Sequence, residues 1–189
     1  MDNIFFKYLI ICVFCLGIKA TNDTNLTIFT NPMVIPNSMQ IQTFVNAHNY
    51  YRMSVNPPAA FMPAISWQSS LSNSANNWAA KCIWAHSRTI NVGENLYATT
   101  VRTTANNFNP NNAVNSWASE KINYDYSTNS CTTGKVCGHY TQIIWKNSTN
   151  VGCAFQDCPV IQGLPWSNGG TIVVCQYSPP GNWYGQRPY

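Results

Sequence analysis

Charge is what this sequence has least of. Of 189 residues only 8% are Asp, Glu, Lys or Arg, with six acids, ten bases and three histidines. A site that moves protons or holds a metal has to be drawn from that short supply. The basic residues of the main chain body are scattered from Arg52 to Arg187, without a cluster and without aromatic interleaving, which argues against nucleic acid as a partner. A formal net charge of +4 allows weak attraction to an anionic membrane surface and nothing more specific. Internal repeats are missing, and so are a Gly-x-Ser-x-Gly elbow and a His-Glu-x-x-His helix, two contexts that orient hydrolytic residues.

Long apolar runs are equally scarce. The one candidate, Tyr8 to Ile18, is about a dozen residues, too short to cross a bilayer comfortably. Lys7 precedes it, and Gly17-Ile18-Lys19-Ala20 puts a small residue where a signal peptidase cuts, so residues 1–20 read as a secretory leader. No second run of spanning length follows, and no tail of the kind exchanged for a lipid anchor is seen. The expected location is therefore extracellular.

Cysteine is present in a telling number. Cys12 and Cys15 leave with the leader, and Cys82, Cys131, Cys137, Cys153, Cys158 and Cys175 remain. An even set in an exported chain reads as three disulfides, for which fifteen pairings exist. Zinc-bound thiolates are the alternative, but a pair of short Cys-x-x-Cys knuckles is lacking. Asn22, Asn25 and Asn147 stand in Asn-x-Ser/Thr tripeptides and are candidate glycan acceptors in an exported protein.

Residues 21–37 are polar, carry Pro32 and Pro36, and read as an arm leading to a single domain over 38–189. Ile41, Phe44, Val45 and His48 keep helical spacing after Ser38, a suitable cap, and Pro57-Pro58 bounds the segment. A second helix is expected over about Gln68–Lys81, with Leu71, Ala75, Trp78, Ala79 and Cys82 on one stripe. Ser87 to Asn109 has no persistent period. Asn109-Pro110 opens a third helix with Ala113, Val114 and Trp117 on its apolar side, and Glu120 follows three residues later on that face. Tyr140 to Trp145 is a dense apolar-aromatic block whose local state the pattern leaves open. Val151–Gln156 and Thr171–Tyr177 alternate as strands, and 178–189 is a Pro/Gly-rich tail. Helices first and strands last point to helices covering a mostly antiparallel sheet.

Against so little charge, Gly93-Glu94-Asn95, Trp117-Ala118-Ser119-Glu120 and Gly138-His139-Tyr140 stand out, each setting one titratable group among residues that pack. A buried carboxylate or imidazole needs a partner, because leaving it unpaired costs several kcal/mol. The surrounding sequence carries a resemblance. Gly138-His139-Tyr140-Thr141-Gln142-Ile143-Ile144-Trp145-Lys146-Asn147-Ser148 is similar to one signature of the cysteine-rich secretory, antigen 5 and pathogenesis-related 1 (CAP) superfamily, and Ile172 through Trp183 is similar to the second. His48-Asn49 with Arg52, Cys82 with His86-Ser87, and Gly93-Glu94-Asn95-Leu96 match its other marks. Tyr124-Asp125-Tyr126-Ser127 and the ending Gly185-Gln186-Arg187-Pro188-Tyr189 most resemble the pathogenesis-related 1 branch.

The resemblance implies an α+β fold, a three-layer α-β-α sandwich with a mostly antiparallel central sheet. It implies pairing of Cys82 with Cys158, Cys131 with Cys137 and Cys153 with Cys175. It also implies a cleft where His86, Glu94, Glu120 and His139 converge as candidate ligands for zinc or magnesium, with His48 packed inside as a structural residue. For activity it points to a non-catalytic secreted module that binds a sterol, another small lipid or an extracellular protein, in defence or host interaction. The segment 97–116, with Val101, Phe108 and Val114, would border the lipid groove. Two further readings accompany it: a metal-dependent hydrolase or protease, with Ser87 beside His86 and Ser119 beside Glu120, and a precursor releasing residues 179–189 as a signalling peptide.

Overall fold

The computed structural model describes residues 34–189. The leader over 1–20, most of the arm over 21–37, and Asn22 and Asn25 lie outside the described residues. The first helix, α1 (Ser38–Met53), is capped by Asn37 rather than Ser38. The Asn37 carboxamide accepts from Gln40 N at 2.9 Å while Gln40 Oε1 accepts from Asn37 N at 3.0 Å, a reciprocal pair that satisfies two otherwise orphaned donors. The buried stripe of α1 is Gln40, Phe44, Ala47, His48 and Arg52, which keeps Phe44 and His48 of the expected stripe and leaves Ile41 and Val45 half-buried. Polar residues take inward positions there because the interior supplies partners. Arg52, for example, donates to the carbonyls of Pro63, Ile143, Trp145 and Lys146.

A two-residue strand, β1 (Ser66–Trp67), leads into α2 (Ser69–Ala79), which buries Leu71, Ser72, Ala75, Asn76 and Ala79. Next comes β2 (Gly93–Thr99), in the segment where no period was evident. It is an edge strand, half-buried along most of its length, so neither face produces a clean alternation. Pro110 in the first turn and Asn109 as cap then start α3 (Pro110–Ala118), which runs into a 3₁₀ turn, Ser119–Asn123. A small hairpin follows, β3 (Tyr124–Asp125) with β4 (Ser130–Cys131), then α4 (Gly138–Ile143). The aromatic block is thus mainly helical. Two long strands close the order, β5 (Asn150–Cys158) and β6 (Gly170–Ser178).

The main sheet has the order β1-β5-β6-β2, antiparallel except for the short parallel β1–β5 pair. Along β6 the side chains divide cleanly. Val173, Cys175 and Tyr177 join the core shared with α1, α3 and α4, while Ile172 and Val174 join the one beneath α2. The fold is therefore helix, sheet, helix. Gly152 marks the tightest approach: a Cβ there would lie 2.2 Å from Ser72 N and 2.6 Å from Gln68 O, so α2 rests directly on the β5 backbone.

Three disulfides join Cys82 to Cys158, Cys131 to Cys137 and Cys153 to Cys175, with sequence separations of 76, 6 and 22. The first ties the end of α2 to β5 and closes the longest loop, a constraint worth roughly 4 kcal/mol in the chain-entropy account. The third crosslinks residues directly opposite in the β5–β6 ladder. Past Ser178 the chain has no regular element but is fastened. Lys146 N donates to Pro188 O at 2.7 Å, the Tyr189 hydroxyl donates to Pro57 O at 2.9 Å, and the Tyr126 and Tyr189 rings stack at 4.3 Å. Among the described residues no helix is long and apolar enough to cross a membrane.

Candidate functional site

Glu94 enters the site from the start of β2 and His86 from the loop after α2. The His86 Nδ1–H donates to Glu94 Oε1 at 2.9 Å, and the same oxygen accepts from Ser87 N at 2.8 Å. Glu94 Oε2 accepts from the Gln176 amide at 3.0 Å. The carboxylate side chain is 7% exposed and the imidazole 61%, so the pair is a sealed acid under an open base. Burial alone would raise the Glu94 pKa, but hydrogen bonds from His86, Ser87 and Gln176 outweigh it and hold the carboxyl below its ordinary value. The hydrogen bond to Glu94 pushes the His86 pKa up, against the opposing effect of partial burial.

The second pair is built at a helix start. Glu120, on the 3₁₀ turn after α3, accepts from His139 Nδ1 at 2.6 Å through Oε1. Its Oε2 accepts from the backbone N–H groups of His139 and Tyr140 at 2.9 and 3.2 Å. The Trp117 ring lies nearly parallel to the His139 ring at 6.3 Å, with its own Nε1 donating to Leu96 O at 2.8 Å. Asn95 Nδ2 donates to His139 O at 3.0 Å, linking β2 to α4.

Both imidazoles therefore spend Nδ1–H on a carboxylate, which places the lone pair on Nε2. For neither ring does Nε2 meet a hydrogen-bond partner among the described residues. His86, Glu94 and His139 line one cavity of about 170 Å³, together with Asn95, Val136, Gly138 and Asn182. On its other side His86 borders a cavity of about 250 Å³ with Ser87, Arg88 and Thr89. His86, Glu94, Glu120 and His139 are thus brought together as two pairs. Among the described residues no group of three or more His, Cys, Asp or Glu is placed to hold a metal ion. His86 and His139 are the residues that could offer a divalent cation a nitrogen lone pair, with Glu94 and Glu120 behind them as orienting groups. That donor set suits zinc better than magnesium, which favours oxygen.

The two serines do not form a catalytic pair with histidine. Ser87 Oγ shares a 2.8 Å hydrogen bond with Thr89 Oγ1, and Ser119 Oγ donates to Ser116 O at 2.7 Å. His48 lies in the core, where Nδ1 donates to Phe44 O at 2.7 Å and Nε2 accepts from the Tyr177 hydroxyl at 2.9 Å. In the 97–116 segment Phe108 and Val114 are buried in the core and only Val101 of the three is exposed, so the three present no apolar stripe to a ligand. Asn147 is exposed, as a glycan acceptor requires. Gln176, Asn95 and Asn182 are functional neighbours that pattern reading missed. Gln176 did leave a signal, since it continues the inward face of Ile172 and Val174, where an amide needs a partner.

This α-β-α sandwich, with three disulfides and two histidine–glutamate pairs at one cleft, belongs to the cysteine-rich secretory protein family, whose model matches residues 45–177. The chain is 38% identical over 170 residues to pathogenesis-related protein 1 of Arabidopsis thaliana, covering 87% of this chain and 92% of that protein. It is 37% identical over 161 residues to mouse peptidase inhibitor 16, covering 85% of this chain but 31% of that longer protein. Among solved structures, Na-ASP-1 superposes with a TM-score of 0.66 at 27% identity, covering 90% of this chain and 46% of that one. NaASP2, crystallised with Zn²⁺, has the same fold, with a TM-score of 0.64 at 23% identity over 85% of this chain and 90% of that one.

Proposed function

We propose that this chain is a non-catalytic extracellular binding module whose recognition surface is the cleft between the His86–Glu94 and His139–Glu120 pairs. The observation that carries the reading is the orientation of the rings: each Nδ1–H is committed to a carboxylate, and each Nε2 has no partner among the described residues. A catalytic base would need a nucleophile within hydrogen-bond reach, and the hydroxyls of Ser87 and Ser119 bond elsewhere. The ligand we favour is small and brings hydrogen-bond donors or a metal ion to these Nε2 nitrogens, and the cleft around them is lined largely by polar side chains. A sterol or other small lipid draws no support from Phe108 and Val114, which are interior. Secretion, glycosylation at Asn147 and a role in defence or host interaction fit this reading.

The peptide-precursor reading is weakened by the tail. Residues 179–189 hold Ser148, Gln142, Thr141 and Tyr126 through hydrogen bonds, so their release would strip partners from buried groups.

Zinc titration of the purified protein tests the cleft. Binding is expected near neutral pH and should disappear on acidification, as protonation occupies Nε2. The His86→Ala/His139→Ala variant should not bind, and equal affinity of this variant and the parent protein would overturn the site. Mass spectrometry of copurifying molecules from the same preparation would identify the natural ligand.

A further inference from the structure

A cavity of about 290 Å³, which neither imidazole lines, lies between the β3–β4 hairpin and the C-terminal segment. Its lining combines three aromatic rings, Tyr124, Trp145 and Trp183, with three neutral amides, Asn129, Asn182 and Gln186. No Lys, Arg, His, Asp or Glu lines it. A charged ligand would enter without a counter-ion, whereas a neutral one loses nothing by that absence.

Two of the amides are held in place. Asn129 accepts from the Tyr124 hydroxyl at 2.7 Å and donates to Gln186 O at 3.2 Å. Asn182 accepts from Thr141 Oγ1 at 2.7 Å and donates to Gly138 O at 2.8 Å. A carboxamide has two N–H donors and two carbonyl lone pairs, so each fixed amide still has a donor and an acceptor to offer. Trp183 is 56% exposed, an unusual state for so large an apolar surface, yet its Nε1–H donates to Pro180 O at 3.0 Å and restrains the indole. The Cys131–Cys137 disulfide forms part of the wall.

Restrained aromatic faces beside fixed, uncharged amides match the two sides of a pyranose ring, which presents C–H groups on its face and hydroxyls around its rim. We propose that this cavity is a binding subsite for a neutral saccharide. The ring packs against the Trp183 indole, and Asn129, Asn182 and Gln186 exchange hydrogen bonds with its hydroxyls. The site is independent of the histidine cleft in its chemistry, although Asn182 and Gly138 border both.

The test uses the full secreted chain, with indole N–H resonances followed by NMR and affinity measured by calorimetry. The probes are chitotetraose, cellotetraose, a heparin-derived tetrasaccharide and a polyproline peptide. At least one neutral tetrasaccharide should shift the Trp183 indole resonance saturably. Trp183→Ala should weaken that binding at least tenfold, Trp183→Phe about threefold or less, and Ile90→Ala, on a separate exposed loop, not at all. Unchanged thermal unfolding of Trp183→Ala would show that the fold is retained. Failure of both neutral sugars at millimolar concentration overturns the proposal, as does binding indifferent to Trp183→Ala. Preference for the heparin fragment, or binding of the polyproline peptide alone, would overturn it in favour of an anionic or a peptide ligand.

Discussion

His48 sits inside the fold with both ring nitrogens occupied, while His86 and His139 sit at the cleft with one occupied each. The inner ring is neutral by construction: burial lowers its pKa to about 4, partly offset by its bond to the Phe44 carbonyl. The outer His86 is instead stabilised in its charged form by Glu94. Asn95 connects the two regions, since its Nδ2 donates to the Tyr177 hydroxyl at 3.1 Å as well as to His139 O. The contrast separates two uses of a scarce residue. A histidine with both nitrogens satisfied locks elements together, and one with a nitrogen left over is available to a ligand.

The comparison breaks first if the inner network proves dispensable. Arg52 is 1% exposed and faces carbonyls rather than a carboxylate, so Arg52→Ala leaves four acceptors short of donors, those of Ile143 and Trp145 buried, and opens a cavity. A loss of about 4 kcal/mol is expected in urea unfolding. A change below about 1 kcal/mol, typical of surface sites, would show that this network does not hold the core.

Acid should act on the inner region next. Because the folded pKa of His48 is lowered from 6.5 to about 4, the unfolded chain binds the proton more readily between those values. The stability contributed by neutral His48 is present above pH 6.5 and is lost as pH falls towards 4. The whole loss is about 3 kcal/mol by linkage, and it should be read from unfolding curves at a series of pH values. Tyr177→Phe removes the hydroxyl that meets both His48 and Asn95, and should cost about 1–3 kcal/mol at neutral pH.

The inner region was also the more legible in sequence. Strand patterning located β5 and β6, although both faces of each are buried, and Asn109-Pro110 located the start of α3 because it is a specific cap. Of the expected α1 stripe Phe44 and His48 are buried, but Ile41 and Val45 give way to Gln40, Ala47 and Arg52, since tertiary carbonyls satisfy the polar Gln40 and Arg52 inside. β2 escaped because an edge strand has no period of its own, and its pairing with β6 bridges residues up to 84 positions apart in register (Gly93 with Tyr177). Helical spacing put Glu120 on the face of Trp117, and both do meet His139, the indole stacked on its ring and the carboxylate bonded to its Nδ1. Composition could mark His86, Glu94, Glu120 and His139 as too costly to bury alone. It could not show that each acid is already committed to its own histidine, because that depends on three-dimensional contact.

The smallest effect tests the outer pair. Glu94→Gln keeps the shape of the side chain and removes its charge, so the His86 pKa should fall back towards its ordinary value, measured from the imidazole proton shifts across pH. Little stability should be lost, for two reasons. The raised His86 pKa contributes stability only while pH lies below its folded value, and that contribution fades as pH rises through it; Glu94 contributes above its ordinary 4.5 and loses that as pH falls through its lowered value. The pair is thus tightest in the acidic-to-neutral window, and with His86 61% exposed, solvent holds the net effect below about 1 kcal/mol. The second reason lies behind the carboxylate. The new amide would turn N–H donors towards Gln176 Nε2, but Gln176 Oε1 has no partner in the native arrangement, so a flip of Gln176 supplies the acceptor. An unchanged His86 titration in Glu94→Gln would mean that the carboxylate does not set the ring. A stability loss as large as that of Arg52→Ala would erase the distinction between a sealed structural network and an open binding pair.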